Sequence, residues 1–478
     1  MLAFTAVFGI LAVRRHQALL THAFDMGQML QALWTIRHGE GNFSTITGLP
    51  FLGDHARFIL YPLAMLGLPA RALLVGQAAI LALGAVPVYL LARRRGPQWA
   101  ALIVAALYLL YPSLQWTALF DLHPEVVATP LLLLAFWAAD SRRHKTFALA
   151  TAVALLCRED VAVAVGLMGA VFLLERRWRL GGVTAAAGAA TLLIDTAVQK
   201  VANPNGLSVM ESRYGYLGHS PSEVIHNLFV TPVATFGGTH LGLNAALMLL
   251  GFVAPVAVML AARWTRLVAT VPFFVMNLLA ASPMQRTIYF HYGFLVTVFI
   301  FAAAADGAGR LARLRTVPRT ATFGAVLVIA VAAFPFTSPF GDVGYRGDGA
   351  WGRPASVSRQ LAMTFPDGFQ QDARSALALV GDGSVSASAN LLPQLAARKE
   401  VYMFPNPYYP VWFGELLTRN PDLSARPTIP ETPPRWIALD LIHGGPDPAP
   451  VRAELVALLP TRYNLIYRGK FVQIWEIK

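Results

Sequence analysis

Apolar residues in this chain fall into long blocks separated by short charged connections, unlike the alternating or one-faced patterns of a soluble core. The blocks lie at roughly 71–92, 97–116, 124–139, up to 156, up to 174, 180–199, 241–262, 267–281, 288–306 and 320–337. Residues 2–13 add a shorter one. The pattern predicts an α-helical polytopic membrane protein of about eleven spans, each needing ~20 residues. Beyond residue 338 the runs shrink to strand length while Gly, Pro and charge rise. Segments near 383–388, 400–404, 435–439 and 471–475 read as strands, with helices at 391–397 and 449–459. The chain therefore divides into a transmembrane unit, 1–337, and a small α/β unit, 338–478, of a size that folds alone.

One stretch fits neither class. Phe24-Asp25-Met26-Gly27-Gln28-Met29-Leu30-Gln31-Ala32-Leu33-Trp34 is too polar to cross a bilayer and too apolar for a solvated loop. At helical spacing Asp25, Gln28, Gln31 or Ala32, and Thr35 share an edge, and Met26, Met29, Leu30, Leu33 and Trp34 supply the rest. This predicts an interfacial helix near 24–36, apolar side down, with one carboxylate toward water. Asp25 reads equally as the N-cap of that helix.

A mean hydropathy of +0.52, with 56% hydrophobic and 13% charged residues, excludes a soluble enzyme of this length. The formal charge of +12 would suit a nucleic-acid binder, but the basic residues sit between apolar blocks, where membrane topology accounts for them. No nucleic-acid partner is expected. If Arg93, Arg94 and Arg95 are cytoplasmic, strict alternation puts the clusters at 142–145, 176–179, 263–266 and 310–319 there too. Only Arg14 and Arg15 disagree. They stand where a signal peptidase needs small residues, which argues against a cleaved leader. Either the start is truncated, or they snorkel at the end of a first span. The blocks flanking Cys157 are each short. Fusing them would put three basic loops outside, so two helices are expected. The lone Cys157 excludes an intrachain disulfide framework and a thiolate zinc cluster, and reads as a small buried side chain.

The same alternation places the remaining polar connections together on the outer face, with the carboxyl-terminal unit. Acidic residues beside apolar helices are expensive and usually have a partner or a task. Asp121, His123 and Glu125 precede one span, and Arg158, Glu159 and Asp160 interrupt a hydrophobic run. Arg286, Tyr289, His291 and Tyr292 open another span, and Asp54 and His55 lie in a Gly- and Thr-rich loop. Arg213, Tyr214, Tyr216 and His219 add donors suited to a phosphate or a sugar. Each has a plainer reading as a cap or an ion pair; their convergence on one face favours a site. His123-Pro124-Glu125 offers two metal ligands without a third at recognisable spacing, so neither a metal nor a cofactor is expected.

Phe24-Asp25-Met26-Gly27-Gln28 with Gln31-Ala32-Leu33-Trp34, Asp54-His55, Phe120-Asp121-Leu122-His123-Pro124-Glu125 and Arg158-Glu159-Asp160 resemble the marks of a bacterial multi-pass membrane family, domain of unknown function 2079. The 286–292 segment and the stretch from Val385 through Arg398 to Phe404-Pro405 resemble its later parts. That family in turn resembles the glycosyltransferase C superfamily, whose members move sugars from polyprenyl-phosphate donors on the outer membrane face. The resemblance implies a glycosyltransferase fold, a multi-pass location in the cell membrane, a polyprenyl-phosphate sugar as donor and an envelope glycan or lipid as acceptor. It implies Asp25 as the residue that acts as the base or binds the acceptor, although Phe24 and Met26 flank a single Asp where the superfamily has a paired-acid motif. Asp121, His123 and Glu125 join it as catalytic candidates. Gln28, Asp54, His55, Arg158, Glu159, Asp160, Arg213, Arg286, Tyr289 and His291 are the substrate-binding candidates. A transporter or lipid flippase would place polar groups near the midplane and often carries repeats, neither of which the sequence shows. A non-catalytic envelope assembly protein would tolerate Asp25→Asn.

Overall fold

The computed structural model describes residues 1–203, 213–218, 220–232, 235, 241–257, 264–312, 324, 328, 337–341, 355–363, 367–409, 428–442 and 449–478. His219 and almost all of the 320–337 block lie outside the described residues.

Most of the apolar blocks are helices. Ala70–Arg95, Trp178–Ala202 and His291–Leu311 are long and apolar enough to cross a membrane. Gln98–Leu110 and Pro112–Leu119 make a fourth if that pair, bent by 46°, is one span. The bend follows from Pro112, which disfavours helical dihedrals at Tyr111 and cannot donate a backbone hydrogen bond. About eleven spans were expected; among the described residues, three or four helices are long and apolar enough. Ala128–Asp140 has 13 residues, His144–Leu155 has 12 and Glu159–Leu174 has 16. The chain does break at Cys157 and Arg158 into two helices, as the basic loops required.

The helices run between two chemically distinct ends. At one, Arg177 and Arg266 pair with Asp140 at 2.9 and 2.7 Å, Arg95 with Asp306 at 3.3 Å and Arg266 with Glu175 at 3.3 Å. Arg94 also reaches the Asp140 carbonyl. These are the connections read as basic loops, and they meet. At the other end, Gln199 donates to the Asp54 carbonyl, and the Ile59 amide to that of Leu156. Successive helices thus alternate between the ends. Helices Glu159–Leu174 and Trp178–Ala202 pack backbone to backbone, for a Cβ on Gly188 would lie 2.4 Å from the Gly166 nitrogen. Arg15 belongs to the opposite end from Arg94, Arg95, Arg177 and Arg266. It is turned inward, its guanidinium on the Leu119 carbonyl, instead of snorkelling; Arg14 is exposed.

The carboxyl-terminal region holds a five-stranded mixed sheet built from β3 (Val385–Ala387), β4 (Val401–Met403), β5 (Trp436–Asp440), β6 (Tyr463–Arg468) and β7 (Val472–Ile477), in the order β4-β3-β5-β7-β6. β3 is parallel to β4 and β5, and β7 is antiparallel to β5 and β6. Strand β6 was not expected; Tyr463–Arg468 alternates buried and more open positions, as an antiparallel strand with one covered face does. The two-residue strands β1 (Phe43–Ser44) and β2 (Leu49–Pro50) form a small hairpin near the amino terminus.

A helix is present in the 24–36 stretch. A single wide π-type turn, Ala23–Gly27, leads into the helix Gln28–Arg37. Its apolar side joins a hydrophobic cluster containing Met26, Leu30, Leu122, Leu392 and Val401. Its polar edge is covered as well. Gln31 donates to Thr45 Oγ1 and to the Lys399 carbonyl at 2.7 and 2.8 Å. The carboxyl-terminal unit lies over this helix. A partner some 360 residues downstream leaves no local mark in the 24–36 pattern.

Candidate active site

Two short segments build the centre by pairing reciprocally. The Asp121 carboxylate accepts from the His22 backbone amide at 2.6 Å and faces His22 Nδ1 at 3.1 Å. His123 Nε2 stands 3.5 Å from Asp25 Oδ1. His22 and Asp25 sit three residues apart around one helical turn, which points both the same way. His123 Nδ1 lies 2.9 Å from the Asp121 carbonyl, which can only accept, so Nδ1 carries the proton and Nε2 is turned to Asp25.

The 117–123 turn is held by a residue that the sequence reading passed over. Gln77 donates to the carbonyls of Phe120 and Asp121, both at 3.2 Å, and accepts the His123 amide at 2.8 Å. A lone glutamine in the apolar helix Ala70–Leu83 was the available signal, since a polar group at membrane depth has a partner or a task. His22 and Arg57 were missed too, the first for want of any motif and the second because Glu125, the partner that ties it to the centre, is distant in sequence.

A cavity of about 640 Å³ opens beside this centre. Asp25, Gln28, Asp54, His55, His123, Arg158, Glu159, Asp160, Arg213 and His291 all line it. Asp121 and Glu125 do not: they are buried behind His123. Arg286 donates to the Ala280 carbonyl at 2.6 Å, and Tyr289 packs edge-on against Trp116 at 5.6 Å; neither lines the cavity.

The charged groups of the wall are largely spoken for by one another. Arg158 holds Glu125 and, through two nitrogens, Asp160. Arg57 lies 3.6 Å from Asp54 and 3.7 Å from Glu125. His55 Nδ1 meets Glu159 at 2.6 Å, and Gln28 donates to Asp54 at 3.0 Å. Arg213 differs. It donates to the Gln285 amide oxygen at 3.1 Å and the Tyr292 hydroxyl at 3.2 Å, both neutral. Its positive charge is therefore available to an anion.

Charge pairing shifts the histidines. The Asp121 carboxylate raises His22 above its ordinary value, against the effect of burial. Burial disfavours charge on His123, but the carboxylates of Glu125 and Asp25 outweigh it and the net shift is upward. Burial likewise works against ionised Asp121, yet His22 and Arg15 hold it below the usual carboxylate range. His123 also stacks on His291 with centroids 3.7 Å apart.

Two groups of side chains are spaced to hold a metal ion: His123 with Glu125 and His291, and His22 with Asp25 and Asp121. In the first, an ion would have to face the guanidinium groups of Arg158 and Arg57 across Glu125. The surroundings suit an anion better than a cation.

No curated protein sequence matches the chain significantly. Among solved structures it is similar to ArnT from Cupriavidus metallidurans bound to undecaprenyl phosphate, with a TM-score of 0.58 at 13% identity over 99% of this chain and 97% of that one. The apo state of the same protein gives 0.55 at 13% identity and the same coverage. At that identity the likeness is one of fold alone, a mostly helical chain matched over nearly its whole length. The profile described as "Predicted membrane protein (DUF2079)" matches residues 15–413, and the chain belongs to that family.

Proposed function

We propose that this protein transfers a sugar from a polyprenyl-phosphate carrier to an envelope acceptor on the outer face of the membrane. The observation that carries the reading is the cavity itself: a carboxylate, Asp25, oriented by His123, in one wall, and the carboxylate-free guanidinium of Arg213 in the same chamber. An acceptor hydroxyl is a poor nucleophile at neutral pH, so a carboxylate within reach takes its proton as the new bond forms. The hydroxyl oxygen bonds to the anomeric carbon while the carbon–phosphate oxygen bond breaks from the opposite face, inverting the centre. The electron pair leaves with the polyprenyl phosphate and the proton stays on Asp25. Arg213 stabilises the departing phosphate by charge-assisted hydrogen bonds. Arg158, committed to Glu125 and Asp160, keeps the wall in shape, and Arg286 stands away from the cavity. Asp121, Glu125 and Gln77 fix His123 from behind.

The similarity of fold to ArnT bound to undecaprenyl phosphate supports a lipid-phosphate donor, and the polar groups gather at one end of the bundle, not at its midplane as a transport pathway would ask. The test is lipid analysis of a deletion strain. It should accumulate a polyprenyl-phosphate sugar that the wild-type gene clears and the Asp25→Asn gene does not. Clearance by Asp25→Asn would remove the role given to Asp25.

A further inference from the structure

The turn carrying Asp25 is packed from outside by the carboxyl-terminal unit. Leu392, fully buried at the start of the helix Leu392–Leu395, sits where a side chain on Gly27 would be: a Cβ there would lie 2.5 Å from Leu392 Cδ2. The helix follows directly on β3, so the sheet fixes where it stands. Two residues on, Gln394 Nε2 donates to the His16 carbonyl at 2.7 Å. His16 precedes the Ala23–Gly27 turn, so the same short helix grips the chain on both sides of His22. On the far flank Thr45 Oγ1 donates to the Val401 carbonyl at 2.6 Å and accepts the Val401 amide at 2.9 Å.

We infer that Leu392 and Gln394 are positioning residues that hold Asp25 against His123 at the cavity. The inference rests on the reading of Asp25 as the base, but its geometric part can be tested without turnover. The wide turn closes with the Gly27 amide on the His22 carbonyl at 3.1 Å and continues into a regular helix on its carboxyl side only, so the direction of its carboxylate depends on what packs against its other flank. A displacement of about 1 Å at a reacting group costs roughly a hundredfold in rate. The carboxyl-terminal unit thus contributes to the site without lining it.

The experiment uses full-length protein in lipid nanodiscs, with variants Leu392→Ala, Leu392→Met, Gly27→Ala, Gln394→Ala and Gly27→Ala/Leu392→Ala. The first readout is the NMR titration of His123, assigned with His123→Gln and referenced to Asp25→Asn. The second is affinity for undecaprenyl phosphate, and the third is kcat on any donor that the wild type turns over. Leu392→Ala and Gly27→Ala should move the His123 titration toward its position in Asp25→Asn, with undecaprenyl phosphate affinity within about twofold of wild type and kcat lower by about tenfold to a hundredfold. Leu392→Met conserves volume and should behave as wild type. The double variant should lose less than the two single losses combined, because the smaller residue 392 makes room for the new methyl. Gln394→Ala spares the core and should give a smaller shift of the same sign. Unchanged His123 titration in Leu392→Ala, Gly27→Ala and Gln394→Ala would overturn the inference. Shifted titrations in a protein that transfers no sugar would leave the positioning intact and end the reading of Asp25 as a base.

Discussion

His123 works through both of its ring nitrogens: one is fixed by the Asp121 carbonyl and the other is aimed at Asp25. The arrangement makes a prediction about pH. His22 and His123 have folded values raised above the ordinary 6.5 by carboxylates. Below that value both are charged in the folded and unfolded chain, and the pairing stabilises fully. As pH rises through the raised folded values the protons leave and that stabilisation is lost. The melting temperature of the wild type should therefore fall on going from pH 6.5 upward, and Asp25→Asn, lacking one partner, should fall less. Parallel curves would mean that the Asp25 pair contributes nothing. At this scale Asp25, His123, Arg158 and Glu159 were legible because charge beside an apolar block is conspicuous. His22 and Arg57 were not, since their meaning lies in partners about a hundred and about seventy residues away.

Among elements, the helix Ala70–Leu83 shows how a spanning segment can shape a site that it does not line. Gln77 satisfies carbonyls in a turn that is not helical and has no ladder of its own. Gln77→Leu leaves the buried Phe120 carbonyl and His123 amide without Gln77, at a cost of about 1–3 kcal/mol. The expected result is a lowered melting temperature and lowered transfer, with Gln77→Glu intermediate because it keeps the acceptor for the His123 amide. Wild-type stability in Gln77→Leu would show that the turn is held by its other contacts. The break at Cys157 and Arg158 was legible from the charge pattern, whereas helix length was not. Apolar composition extends past the residues that keep helical hydrogen bonds, so blocks of 16 to 20 residues were read where shorter helices fold. The burial of the Gln28–Arg37 helix escaped for another reason: amphipathicity reports that a face is covered, not by what.

The whole molecule has a basic end and a site end. Arg95, Arg177 and Arg266, from three of the basic clusters expected to share a compartment, meet in space through Asp140, Glu175 and Asp306, while Arg313 to Arg319 lie outside the described residues. Arg15, the exception to the charge rule, is taken up by the site end. If the basic end is cytoplasmic, alkaline phosphatase fused after Lys478 is active and a cytoplasm-only fluorescent reporter there is dark. A bright reporter would invert the molecule and put the cavity on the wrong face for a lipid-linked donor. The central claim is that Asp25 takes the proton of an acceptor hydroxyl, and its most direct test is single-turnover transfer by purified protein in lipid. Wild type and Asp25→Asn would be given the same series of polyprenyl-phosphate sugars and acceptors. The account predicts transfer by the wild type and a rate about 10²–10⁴-fold lower in Asp25→Asn, the usual cost of losing a general base. Equal rates in the two proteins, or movement of lipid across the membrane with no sugar transferred, would contradict it.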